Sequence, residues 1–407
     1  MVCVMGFKKL IKLAIVFLWF GQVFGQTGWT EPLANNYDSE AIQNDGSCTY
    51  DETILIPESS VSLEESMRET SGLIYWMNSL WTHNDSADSN LYQINPANGH
   101  LLSSVALNSV ENIDWEDIAQ DENYVYLGDF GNNLHGNRTD LRIIRIEKAS
   151  LVRKLPQLDF INFSYSDQTD FTSQEFNNTD YDCEALIVYG DAIFLFTKEW
   201  VSHRTKLYKL PKTPGTYVAQ LEDSYDVQGM ITGAEVNEDT IVLSGYNDLV
   251  MPFLFLLYDF DEEDFFGGNK RKLELSLFLH QVEGIATSNG LNYYITNEQV
   301  AILGIDPQLH SLDLTPYLEN STLGLDSPNV KNNLEIVPNP GTSKVEVMGL
   351  ENDYPITFQI VDMMGQVLQK GELELQQPFI DISELSVGVY VLMFPKANNQ
   401  SLLLVKK

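Results

Sequence analysis

The chain has 407 residues, 43% of them hydrophobic and 20% charged, with 58 Asp and Glu against 24 Lys and Arg for a formal net charge of −34. That length supplies two or three cores rather than one. The composition excludes a disordered polymer, and the charge disfavours nucleic acid and anionic membranes while suiting hard cations such as calcium.

Residues 1–25 carry Lys8, Lys9 and Lys12 ahead of an apolar run over residues 13–20, and then the small residues Val23 and Gly25. This is the layout of a secretory signal peptide cut before Gln26, and the run is too short for a comfortable membrane span. No cysteine follows the expected cut, so no lipid anchor is expected, and no later run is long and apolar enough to span a bilayer. Cys3 leaves with the leader. Cys48 and Cys183 then allow at most one disulfide, and their spacing is unlike a zinc site.

Residues 26–57 are polar and turn-rich, and are expected as a flexible spacer or small module. The run "ANNYDSEAIQNDGSCTY" resembles a short module frequent in secreted Bacteroidetes proteins, with Trp29 and Asn35 standing where that module often has cysteines.

From residue 58 to 318 the chain is a string of short runs rich in Val, Ile, Leu, Tyr and Phe with turn residues between them, the pattern of an all-β fold. Five segments share one plan: a Glu, an apolar strand, a turn, a second strand, then an acid. They begin "ETSGLIY", "WEDIAQ", "CEALIVY", "GAEV" and "VEGIA". In a propeller the first strand of each repeat lines the axis, so repeated residues meet on one ring. Glu69, Glu116, Glu184, Glu235 and Glu283 are therefore candidate metal ligands around a central channel. Asp85, Asp129, Glu199, Asp248 and Glu298, with Arg138, are candidate ligand contacts at its mouth. The same acids would equally serve as turn caps and acceptors of backbone N–H groups. Carboxylates so gathered must be spread apart, protonated, hydrated or neutralised by a cation.

The units "ETSGLIY", "WEDIA", "CEALIV" and "VEGIA" resemble the blade starts of the SdiA-regulated and esterase-like-phytase group of β-propellers, and "DWEDIA…YLGDFGNN" through Arg138 is similar to a pattern in secreted Bacteroidetes propellers. The resemblance implies a five- or six-bladed β-propeller. A sixth blade, if there is one, falls in residues 140–180, where "FINFSYSDQTDF" reads as an outer strand plus a loop.

Residues 319–332 read as a linker. Residues 333–407 change to strands separated by Gly, Pro and Asn turns, which suggests a small antiparallel sandwich. The turn at Pro338, Asn339 and Pro340, the runs "IVDMMGQVL" and "IDISELSVGVYVL" and the final Lys406-Lys407 resemble the type A C-terminal sorting domain of the type IX secretion system. That resemblance implies engagement with the secretion machinery and delivery to the outside or the outer-membrane surface.

The sequence holds no G-x-S-x-G elbow, no H-E-x-x-H and no P-loop. Its six histidines lack metal-ligand spacing; His83, beside the first mouth acid, reads as a turn histidine. Two functions stay open: a monomeric binding or scaffold propeller whose axial acids hold calcium or an extracellular small-molecule or glycan ligand, and, as the phytase-like resemblance implies, a calcium-assisted phosphoesterase or esterase. The second needs basic groups for phosphate, for which Arg138, Lys198 and Arg204 are candidates. Trp76, Trp81, Trp115, Trp200 and Tyr246 read as packing between blades more readily than as a sugar platform.

Overall fold

The computed structural model describes residues 27–86, 88–318, 335–348, 356–361, 367–373, 379–394 and 400–407. The expected signal peptide and linker lie outside the described residues. The chain divides into two compact units, residues 1–324 and residues 325–407.

The first unit begins with the short strands β1 (Thr27–Gly28), β2 (Gln43–Asn44), β3 (Ile54–Leu55) and β4 (Ser59–Ser62). Four antiparallel strands then form group one: β5 (Thr70–Trp76), β6 (Ser79–Asn84), β7 (Asn90–Ile94) and β8 (Leu101–Ala106). Group two is β9 (Trp115–Gln120), β10 (Tyr124–Asp129), β11 (Arg142–Glu147) and β12 (Leu158–Tyr165), and group three is β13 (Asp182–Tyr189), β14 (Ala192–Lys198), β15 (Thr205–Pro211) and β16 (Gly215–Tyr225). Groups four and five follow as β17 (Met230–Asn237), β18 (Thr240–Tyr246), β19 (Pro252–Tyr258) and β20 (Asn269–Leu275), then β21 (Val282–Thr287), β22 (Asn292–Asn297) and β23 (Gln308–Asp313).

Each first strand is short and buried along most of its length, its acids included. The strands β5, β9, β13, β17 and β21 each contact the next, and β21 returns to β5, so they close a ring. This is a propeller-type, all-β arrangement. Tight turns permit it: Met77 and Asn78, the two residues between β5 and β6, both have positive φ, the backbone of the two-residue hairpin turn that matches strand twist. Aromatic and aliphatic side chains fill the seams between groups; Trp115 and Leu127 pack with Ile74 and Trp81 between the first two.

Group five has three strands of its own and takes its fourth from the start of the chain. The strand β4 pairs antiparallel with β23, Ser62 opposite Gln308 and Ser59 opposite Ser311. Residues 140–180 do not form an extra group. They supply β11 and β12, and β12 also pairs in parallel with β16 of group three.

The polar segment before β3 is not a free spacer. The Asn44 side-chain amide donates to Asp259 and to Asn269 Oδ1, both at 2.9 Å, the Tyr258 hydroxyl donates to that of Tyr50 at 2.9 Å, and the Arg271 guanidinium lies 4.8 Å from the Tyr50 ring centre. Asparagine and tyrosine, which a composition count scores as loop-like, here dock the segment on group four. Cys48 and Cys183 are both buried and both free.

The second unit is a two-sheet sandwich. One sheet is β24 (Glu335–Val337), β25 (Lys344–Met348) and β28 (Phe379–Asp381); the other is β26 (Ile356–Val361), β27 (Val367–Leu373), β29 (Gly388–Phe394) and β30 (Gln400–Lys406). Val345, Val347, Phe358, Ile360, Ile380 and Leu392 fill the space between them.

Candidate functional site

Every first strand of the propeller carries a one-residue bulge against its second strand, at the same place in each group. The residues it skips are Gly72, Glu116, Glu184, Thr232 and Glu283. A bulge re-aims one side chain and interrupts pairing locally. Here it turns one residue per group toward the axis.

Three of those five are glutamates, and they gather with their neighbours. One carboxylate oxygen from each of Glu116, Asp182 and Glu184 lies within 4.8 Å of the others, and all three side chains are buried. Asp182 is held from two sides: the Asn132 N–H donates to Oδ1 at 2.6 Å and the Trp200 indole to Oδ2 at 2.7 Å. The Lys198 ammonium donates to Glu184 Oε2 at 2.6 Å and stands 4.0 Å from Glu283. It also lies 4.6 Å from the Trp200 ring centre and 5.0 Å from that of Tyr246. Glu116, only 5% exposed, has no hydrogen-bond partner for its carboxylate among the described residues. Gly131 passes so close that a Cβ there would meet Glu116 Oε1 at 2.1 Å and the Asp114 carboxyl at 2.5 Å.

Seven carboxyls (Asp85, Asp114, Glu116, Asp182, Glu184, Glu283 and Glu298) thus share this end of the axis with Lys198 and Arg138. Burial raises Glu116 well above the ordinary carboxyl range, and Glu184 and Asp114 push it further the same way. Burial likewise raises Glu184 against the pull of Lys198, with Asp182 and Glu283 adding to the rise. For Glu283 the causes are burial and then Glu298; Glu298 itself is lifted to about 8 by burial and by Asp85. Asp114 rises to about 7 through burial and Asp182, partly offset by Arg138. Burial alone would lower Lys198, but Glu184, Tyr246 and Glu283 together hold its ammonium well above the ordinary range. The acids outnumber the cations, so protons or a further cation must offset the remainder.

The five repeated glutamates are therefore not equivalent. Glu116, Glu184 and Glu283 occupy the bulge and converge. Glu69 lies three residues before it and sits on the rim, where the Ser86 hydroxyl donates to Oε2 at 2.7 Å and Arg68 approaches to 3.5 Å. The bulge position of that group is Gly72, with φ +61; a Cβ there would meet Ile118 N at 2.7 Å and His83 Nε2 at 2.9 Å, so no acid fits. Glu235 lies three residues after the bulge residue Thr232. It lines a cavity of about 210 Å³ at a different level of the axis, beside Ile118, Leu186 and Thr287. Burial raises it to about 8.

The mouth acids separate in the same way. Asp85 and Glu298 lie with the cluster, and burial lifts Asp85 to about 6. Asp129 is fully buried and pinned between Arg138 at 3.0 Å and Arg142 at 2.8 Å. Arg138 also donates to the Gly131 carbonyl at 2.8 Å and pairs with Asp140 at 3.1 Å, so it braces the loop behind the cluster. Glu199 accepts from the Ser202 hydroxyl and has Lys206 at 4.0 Å. Asp248 is exposed and paired with His203 at 2.9 Å. His83 is buried within β6 rather than in a turn, with Nε2 unpartnered.

Asp182 and Lys198 were not among the metal candidates read from sequence. The signal for Asp182 is the Asp-x-Glu spacing shared by Asp114-Trp115-Glu116 and Asp182-Cys183-Glu184. Lys198 has no repeat signal, because the other groups place Asn84, Phe130, Tyr246 and Glu298 at that point.

Comparison with known proteins bears on the chain's destination. Residues 335–407 match the family model described as the secretion system C-terminal sorting domain. The protein is thus an exported β-propeller that engages the type IX machinery through its C-terminal unit and is delivered to the cell surface or beyond. Among the described residues no helix is long and apolar enough to cross a membrane. Among solved structures, the extracellular domain of the one-component system BT4673 of B. thetaiotaomicron is 11% identical, covers 83% of this chain and 43% of its own, with a TM-score of 0.29. A glucose-dehydrogenase-type oxidoreductase of Thermus thermophilus is 11% identical over 62% of this chain and 99% of its own, with a TM-score of 0.37. This chain spans less than half the length of the BT4673 domain. No curated protein matches the chain.

Proposed function

We propose that this exported propeller is a binding protein whose axial cluster, built on Glu116, Asp182 and Glu184 with Glu283 beside them, holds a hard divalent cation, calcium. The observation that carries the reading is the 4.8 Å grouping of three buried carboxylates. Calcium binds oxygens at about 2.3–2.6 Å, so opposite ligands on one ion stand about 5 Å apart. Glu116, buried among these acids, is the side chain a cation would relieve most. Calcium takes about six to eight oxygens, so such an ion would complete its shell with water.

The hydrolase alternative implied by the phytase-like resemblance draws less support. Of its three basic residues, Arg138 is committed to Asp129, Asp140 and the Gly131 carbonyl, and Lys198 is enclosed by carboxylates. Arg204 only touches Ser224, at 3.4 Å. Arg204 is the one of the three without an acid partner, and among the described residues no contact joins it to the cluster.

Calorimetric titration with calcium and thermal melts in calcium and in chelator test the reading. One ion per chain is expected; a ligand at a hundred times its Kd stabilises by about 2.7 kcal/mol. Changing Glu116 and Glu283 together to Gln should abolish that gain, and retention of it would refute the axial site. Turnover of phosphate or p-nitrophenyl esters, dependent on calcium, would move the protein to the hydrolase reading.

A further inference from the structure

A second cavity opens beside the acidic cluster, where loops of groups three and four meet the entry to group five, with a volume of about 380 Å³. Its apolar lining is Trp200, Met230 and Val250, and its polar lining is dominated by three neutral amides, Asn177, Asn247 and Gln281. Tyr246 also lines it, and at its edge His203 Nδ1 meets Asp248 Oδ1 at 2.9 Å. Asn177 Oδ1 is buried and accepts no hydrogen bond. The Gln281 side chain has no partner among the described residues, and Asn247 uses its Oδ1 on the N–H groups of Leu249 and Met251. The amide donor of Asn247 is therefore still available.

The backbone around this cavity is under strain. Asn177, His203 and Val250 all have positive φ, at +57°, +57° and +54°. For a β-branched residue such as Val250 this is an outlier, and residues held so tend to cluster at ligand sites.

We infer that this cavity binds a neutral sugar ring. Volume and lining set the class. A small-molecule site is a concavity of about 300–1,000 Å³ with apolar walls and a few convergent polar groups. Trp200, Met230 and Val250 suit the C–H faces of a pyranose. Amides that each offer a donor and an acceptor match hydroxyls that do the same. An organic cation is the poorer fit, because Asp248 is already met by His203 and the Trp200 and Tyr246 rings already carry the Lys198 ammonium. An unpaired buried acceptor such as Asn177 Oδ1 gains most from a ligand hydroxyl, since leaving it unpaired is costly. The inference does not depend on a cation at the axial cluster.

Saturation-transfer NMR on the mature full chain, with D-glucose, D-galactose, D-mannose and N-acetyl-D-glucosamine as probes, tests this. At least one should receive saturation on its ring protons. Asn177→Gly keeps the backbone conformation possible and removes the acceptor; Gln281→Ala removes an amide that holds nothing else. Each should weaken binding about tenfold, with melting temperature close to the parent. Saturation of none of the four sugars, or binding within about twofold of the parent in both variants, overturns the site. Glu116→Gln should retain sugar binding while losing calcium stabilisation, so the two sites can fail separately. Loss of sugar binding in that variant would place the sugar on the axis and overturn this assignment.

Discussion

The Lys198 ammonium stands 2.6 Å from Glu184 Oε2, and both side chains are only 3% exposed. It is the cation that the fold itself supplies to an otherwise acidic axis. Removing one member of a buried pair leaves the other uncompensated, at a cost of about 3 kcal/mol or more. Lys198→Met should therefore lower stability by that order near neutral pH in chelator, read by urea unfolding. Calcium should restore more stability to this variant than to the parent, because the ammonium no longer competes for the same oxygens. Equal calcium gains in the two proteins would show that ion and ammonium do not share a site.

Gly131 makes room for the cluster. A methyl at its Cα would displace the carboxyl tips of Glu116 and Asp114, which are ends of movable side chains rather than backbone. Gly131→Ala should leave the chain folded and weaken calcium binding at least about tenfold, equivalent to about 1.4 kcal/mol. Calorimetric titration reads this directly; an unchanged Kd would detach Glu116 from the ion.

Asp129 offers the contrasting case. Both of its oxygens are taken by guanidinium groups in a buried setting. Asp129→Asn should destabilise by about 3 kcal/mol through the unpaired arginines, without altering calcium stoichiometry. A lost calcium site with preserved folding would return Asp129 to the ligand list.

Much of this was legible in the sequence and some was not, for a physical reason. Strand alternation and recurring acids exposed the repeat, and the structure groups Glu116 and Glu184 with Asp182, with Glu283 reaching the same Lys198. A bulge adds one residue without changing composition, so counting from the nearest Glu could not show that the bulge positions of those two groups are Gly72 and Thr232, three residues from Glu69 and Glu235. Two of the mouth acids already have partners within the protein, which residue spacing does not reveal: Asp129 pairs with Arg138 and Arg142, and Asp248 meets His203. The sorting unit was readable because short local motifs carry it, such as the turn at Pro338, Asn339 and Pro340, even though its strands pair across the unit.

Glu235 gives a pH test away from the proposed ion. Burial lifts its carboxyl to about 8 from an ordinary 4.5. The folded chain therefore keeps a proton that the unfolded chain releases, and native stability falls as pH rises from about 4.5 to about 8, then levels. Glu235→Gln should match the parent melting temperature near pH 5 and exceed it near pH 8.5. Parallel curves for the two proteins would show that the carboxyl is not buried in this way.

The strand contributed by residues 59–62 to the last group has a temporal meaning. Its partner lies at residues 308–311, so the circle cannot latch until nearly the whole first unit has emerged from whatever pore or ribosome delivers it. Until that moment an early strand must wait without its neighbour and an edge stays open.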